Sequence, residues 1–261
     1  MRTTLYRIQG FTLIELLAVI ALMAVVAVVA VMSYEDVDDQ AQADVTKYEM
    51  AELRKALLQF RRDTGVFPRT GSYSCRDPGD LANPNKSNPD MVFPSQLTSE
   101  SLQVSWCERP ENLWHLIKCP FDPDSAACKW DPDTKRGWHG PYISGQWGYV
   151  DVNDASTADE RLIPALADKF PSSLYEWHAC SDAHGATPPD DPACDGYRNK
   201  GQPYLLIVDE DPLSLDSMYP RIVSSGRNGV YGGGNSTDDK MCLPNQSDQS
   251  GKDDLVLCLS K

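Results

Sequence analysis

Glu15 is the only charged side chain between Gly10 and Met32. A carboxylate in so apolar a run is costly in hydrocarbon, and such groups mark a waiting ionic partner. Eight cysteines, at 75, 107, 119, 128, 180, 194, 242 and 258, all follow that run. An even number beyond an export-type segment reads as disulfides. Cys-x-x-Cys does not occur, so the spacings of zinc knuckles, redox dithiols and attached haem are missing. Short sequence distances favour Cys180–Cys194 and Cys242–Cys258; Cys75, Cys107, Cys119 and Cys128 admit three connectivities. His115, His139, His178 and His184 share no ligand spacing. No Ser-His-Asp set or activated cysteine stands out, so the sequence offers no enzyme chemistry. Six tryptophans, Trp106, Trp114, Trp130, Trp138, Trp147 and Trp177, suit the core of a disulfide-rich domain better than a sugar-binding platform.

The elements that must position these groups start with the apolar run. From Phe11 it is long enough to cross a hydrocarbon core of roughly 30 Å as a helix. Arg2 and Arg7 precede it and place the short amino-terminal side in the cytoplasm. The acidic segment after it carries no small-x-small cleavage signal, so the run reads as retained. Apolar residues at three- and four-residue spacings, Val37, Ala41, Val45, Tyr48, Leu53, Leu57 and Phe60, extend the helix. Gly65 and Pro68 end it, giving one helix from about Phe11 to Asp63. Leu113-Trp-His-Leu-Ile reads as a brief helix. Strands are expected within 142–152, 203–208, 221–224 and 254–259. Residues 153–200, acidic and proline-rich, read as an insertion. The net charge of −14 disfavours nucleic acid as a partner.

Gly10-Phe-Thr-Leu-Ile-Glu behind a short basic leader resembles the type III signal of the type IV pilin superfamily. The resemblance implies cleavage between Gly10 and Phe11 by a prepilin peptidase, and methylation of the new Phe11 amine. It also implies assembly, in which Glu15 meets the Phe11 ammonium of a neighbouring copy. Gly65-Val-Phe-Pro and Gly137-Trp-His-Gly-Pro-Tyr-Ile are similar to elements of the major pseudopilins of type II secretion. Gly201-Gln-Pro-Tyr-Leu keeps only the end of that branch's Asp-Pro-Trp-Gly-x-Pro-Tyr motif.

Ser224-Ser-Gly-Arg-Asn-Gly-Val-Tyr-Gly resembles the same branch's calcium loop, which implies Ser225, Asn228, Asp253 and Asp254 as ligands, with Asp238 and Asp239 as the alternative acidic pair. Asn228 stands where the branch has an aspartate. The relatives' Gly and Pro helix breakers are replaced by the neighbourhoods of Ala24 and Met32-Ser33.

The resemblance thus implies an α+β, lollipop-like subunit. Its parts are a leader at 1–10, a transmembrane and filament-core helix at 11–34, and a disulfide-stapled periplasmic domain at 35–261 on a small antiparallel sheet. The expected function is a structural filament subunit of a type II secretion pseudopilus or related filament. Its expected partners are copies of itself, other pilin-like subunits, the peptidase, the membrane and an inner-membrane assembly platform. A type IV pilin or tip adhesin that binds a surface or glycan is the alternative.

Overall fold

The computed structural model describes residues 12–80, 82–95, 97–143, 147–151, 162–168, 170, 176–178, 202–209, 215–233, 241–245, 249 and 251–259. Side chains of 29–38, 151, 162, 176–178, 215 and 217 lie outside that description. The chain divides into two compact units, one ending at Asp44 and one spanning Val45–Lys261.

Helix α1, Leu13–Thr64, contributes to both. In the first unit every large apolar side chain described from Leu13 to Val28 is exposed, from Val19 at 47% to Leu13 at 82%. Among the described residues no helix is long and apolar enough to cross a membrane. The charge-free sequence continues through residues 29–32, whose side chains are outside the description.

In the second unit α1 becomes one-sided. Thr46, Met50, Leu53, Leu57, Phe60 and Asp63 are buried, at alternating spacings near four and three. The expected face is therefore corrected at its lower end: Val45 is 44% exposed and Tyr48 68%. Stepping back from Leu53 by three and then four reaches Met50 and Thr46, whereas Tyr48 lies five positions away and points elsewhere. Gly65 ends the helix at φ 91°, its N–H returning to the Arg61 carbonyl at 2.8 Å.

Two short helices follow, α2 (Glu100–Glu108) and α3 (Trp114–Ile117). Strands β1 (Trp147–Asp151), β2 (Leu162–Leu166) and β3 (Glu176–His178) form an antiparallel sheet in the order β2-β1-β3. Strands β4 (Leu205–Ile207), β5 (Arg221–Ser224) and β6 (Leu255–Cys258) form a second, in the order β4-β5-β6, with a one-turn helix α4 (Leu215–Met218) before β5. The expected strand at 221–224 is present in full, and those at 203–208 and 254–259 are present, trimmed at their ends. That at 142–152 is restricted to β1, with Tyr142 and Ile143 in irregular backbone.

The 153–200 segment was expected as an insertion. It supplies β2 in full and β3, and Ile163 and Ala165 of β2 are completely buried. Pro164, opposite Tyr149, is tolerated because β2 is an edge strand.

One apolar core joins α1 to both sheets through Leu57, Phe60, Val150, Ile163, Tyr204, Leu206 and Ile222. Rings of Phe60, Tyr73 and Phe121 meet edge to face at about 5 Å. Among the described residues the disulfides are Cys75–Cys107, Cys119–Cys128 and Cys242–Cys258. The first two select one of the three open connectivities and the third is the expected pair; Cys180 and Cys194 lie outside the described residues. Arg69 clasps the body from within. Its guanidinium donates to the carbonyls of Glu108, Arg109 and Leu206, and burial pushes its pKa down to about 10.

Candidate functional site

The sequence singled out two places, and the first is the start of α1. Gly10 and Phe11 lie outside the described residues. Thr12 is the residue before the helix and Glu15 its third residue. The Thr12 N–H donates to Glu15 Oε2 at 2.9 Å and the Thr12 hydroxyl donates to the same oxygen at 2.8 Å. The Glu15 N–H returns a longer bond to Thr12 Oγ1 at 3.4 Å. This is a capping box, in which two otherwise orphaned donors at a helix start are satisfied reciprocally. The Thr-x-x-Glu spacing that announces it is plain in the sequence, but the acid drew attention only as a charge. Glu15 therefore has a task inside a single copy, and its carboxylate is accessible.

The second place is the glycine-rich loop after β5. Gly226 has φ 58°, and a Cβ there would lie 2.3 Å from the Asp253 carbonyl oxygen, so only glycine fits. That close approach lays the loop against the residues before β6. Asn228 donates its backbone N–H to Asp253 Oδ2 at 2.8 Å and its side-chain N–H to Asp253 Oδ1. Asn228 Oδ1 accepts from the Val230 N–H at 2.6 Å. Asp254 is buried, and its Oδ2 accepts from the Gly232 N–H at 3.1 Å. Ser225 is buried at the loop's start. Asn228, Asp253 and Asp254 are thus gathered in one place, while Asp238 and Asp239 lie outside the described residues. The donors are hard oxygens of the kind calcium takes. Asn228 turns its oxygen to Val230, so Asp253 and Asp254 form the carboxylate part of any such site. Cys242–Cys258 ties the same segment to β6.

Sequence reasoning missed a buried polar cluster between α1 and the sheets. Asp168, 4% exposed, accepts from the Thr46 hydroxyl at 2.8 Å and from the Ser224 hydroxyl. The Tyr204 hydroxyl donates to Glu49 Oε2 at 2.8 Å. Burial, with the charges of Asp168 and Glu49, raises the Tyr204 pKa. Nothing in the sequence pairs these residues, because Thr46 and Glu49 of α1 meet partners 122 and 155 positions away.

Cys75, Cys107 and His115 place ligand-type atoms within 4.8 Å of one another, but the two sulfurs are bonded together and His115 packs beside them as a core residue. Trp106 and Trp114 are core residues in edge-to-face contact at 5.2 Å. Trp130 stacks on His139 at 4.6 Å, and the side chain of Trp177 lies outside the description.

Comparison with curated proteins and with solved structures found no match. Comparison with protein families found one. Residues 5–31 match the "Prokaryotic N-terminal methylation motif". That signature implies a membrane-anchored amino terminus with an extracellular part, and it suggests a structural subunit. The motif therefore supports a processed protein of the type IV pilin-like superfamily.

Proposed function

We propose that this chain is a filament subunit, processed at Gly10–Phe11 and assembled into a type II secretion pseudopilus or a related type IV filament. The observation that carries the reading is the first unit: an acid at the third helical position, followed by apolar side chains that find no cover among the described residues. An apolar surface of that extent needs lipid or other copies of itself. Before assembly the membrane covers it; in a filament the helices of neighbouring copies do. The peptidase exposes the Phe11 ammonium, and Glu15 of a neighbour neutralises it. Such a pair works as a register device, since one partner left alone in an apolar surround is costly.

Burial of Trp106 and Trp114 removes two of the six tryptophans from any glycan platform, which favours the structural role over adhesion. The test is negative-stain microscopy of cells expressing the chain with its own assembly platform, together with mass analysis of the mature amino terminus. Filaments whose subunits begin at a methylated Phe11 support the reading, and uncleaved chains that never assemble sink it. Short periplasmic filaments indicate a pseudopilus and long surface ones a pilus.

Calcium belongs to the same reading. Asp253 and Asp254 would hold it, with a neutral oxygen from Ser225 and, once it leaves the Val230 N–H, the side-chain oxygen of Asn228, and the ion would stiffen the loop's attachment to β6. An unchanged melting temperature of the oxidised, detergent-solubilised chain between calcium and chelator would remove it.

A further inference from the structure

The chain is strongly acidic, yet three arginines converge at the end of α1. Arg61, Arg62 and Arg136 line an open cavity of about 530 Å³ together with Leu58 and Gly65, and among the described residues no acid lines it. All three arginines are exposed. Among the described residues none of them has an ion-pair partner.

The patch is held in place. Arg61 sits over the Phe67 ring, 4.7 Å from its centroid. Arg136 follows a tight turn closed by the bond from the Asp131 N–H to the Arg136 carbonyl at 2.8 Å. The next residue docks that turn on the helix end, the Gly137 N–H donating to the Asp63 carbonyl at 2.9 Å. Arg136 also donates to the Arg62 carbonyl at 3.4 Å. The Arg61 and Arg136 guanidinium groups are thus held beside one opening that Arg62 also lines, where the negative end of the helix dipole favours all three.

We propose that this patch is an interface between copies, and that it receives the acidic stretch 35–44 of a second copy. The inference rests on the filament reading above. That stretch carries Glu35, Asp36, Asp38, Asp39 and Asp44 with no lysine or arginine. It lies on the same helix by which the copies bundle. Aligned side by side without stagger, copies would set these acids against one another, and like charges repel. A stagger that brings the acids of one copy to the arginines of the next removes the repulsion and fixes the offset. The two surfaces are different regions of one chain, so the contact is head to tail and propagates into an open helix rather than a closed pair. Complementary charge of this kind sets register and partner choice more than bulk affinity.

The test reverses charges in the full chain, expressed with its own platform. Arg61→Glu with Arg62→Glu, and separately Asp38→Arg with Asp39→Arg, should each lower filament number about tenfold or more. The four substitutions together should restore assembly to within about threefold of wild type. Melting of each variant, unchanged from wild type, keeps misfolding from imitating the effect. Wild-type filaments with undiminished assembly of the reversed variants would overturn this inference and leave the filament reading standing. Loss without rescue in the combined variant would also overturn it, as would normal assembly of reversed variants that have lost binding of inorganic phosphate, which would assign the patch to an anion. A wild-type chain that never forms filaments overturns both.

Discussion

Residues 13–28 and residues 46–63 belong to one helix, yet they meet opposite fates. In the first stretch every large apolar side chain described is exposed; in the second, Leu57 and Phe60 are completely covered. Helical propensity is ample in both. What separates them is periodicity. The first stretch is apolar on all sides, so no single body could bury it, and it suits a surround of lipid or sibling helices. The second carries a stripe at spacings of four and three, and one body covers it. A long helix of this kind is two elements joined end to end, each with its own solvent.

The largest expected effect therefore falls on the second stretch. Phe60→Ala should destabilise the body by about 4 kcal/mol, because it removes a fully buried ring packed on Tyr73 and Tyr142. In a unit of this size that lowers the melting temperature by roughly 10 °C. Leu17→Ala, at a side chain 54% exposed, should leave the same transition where it is. Equal shifts for the two would contradict the division.

Arg69→Met comes next, at about 3 kcal/mol, since it leaves the carbonyls of Glu108, Arg109 and Leu206 without their buried donor. Denaturant midpoints measure it.

The pH response also belongs to the body. Burial, assisted by the Arg69 guanidinium, pushes His115 from its ordinary 6.5 down to about 3. Between those values the unfolded chain binds a proton that the folded chain refuses. Stability from this residue is therefore whole above about pH 6.5 and is lost as the pH falls toward 3, at up to ~1.4 kcal/mol per unit. His115→Asn should flatten the fall in melting temperature between pH 6 and 4. A slope equal to that of wild type would remove His115 as its source.

Much of this was legible in the sequence where a single residue forces the outcome. Gly65 and Pro68 stop α1, β5 occupies its expected span, and Cys242 pairs with Cys258. Illegible features arise where distant segments decide. The run Leu-Ile-Pro-Ala-Leu of β2 lacks alternation and contains a proline, so it reads as irregular until its edge position is known. Thr46 joins the buried face only because Asp168 arrives from elsewhere to accept its hydroxyl, while Ser224 donates to the other oxygen of that carboxylate. Arg69 reads as a surface cation following a proline until three carbonyls surround it. The capping box at Thr12 and Glu15 lay in plain view, and its local hydrogen bonds give the acid a role independent of any neighbour.

That double role of Glu15 gives the most direct test of the account. Glutamine keeps the capping-box pattern and loses the charge, whereas alanine loses both. Filaments should be counted in cells carrying wild type, Glu15→Gln and Glu15→Ala with their own assembly platform. The account predicts that both variants are cleaved at Gly10–Phe11 and that both fail to assemble, because the neighbour's ammonium is left unpaired. Normal filaments from Glu15→Gln would contradict it, and would reduce Glu15 to the cap of its own helix.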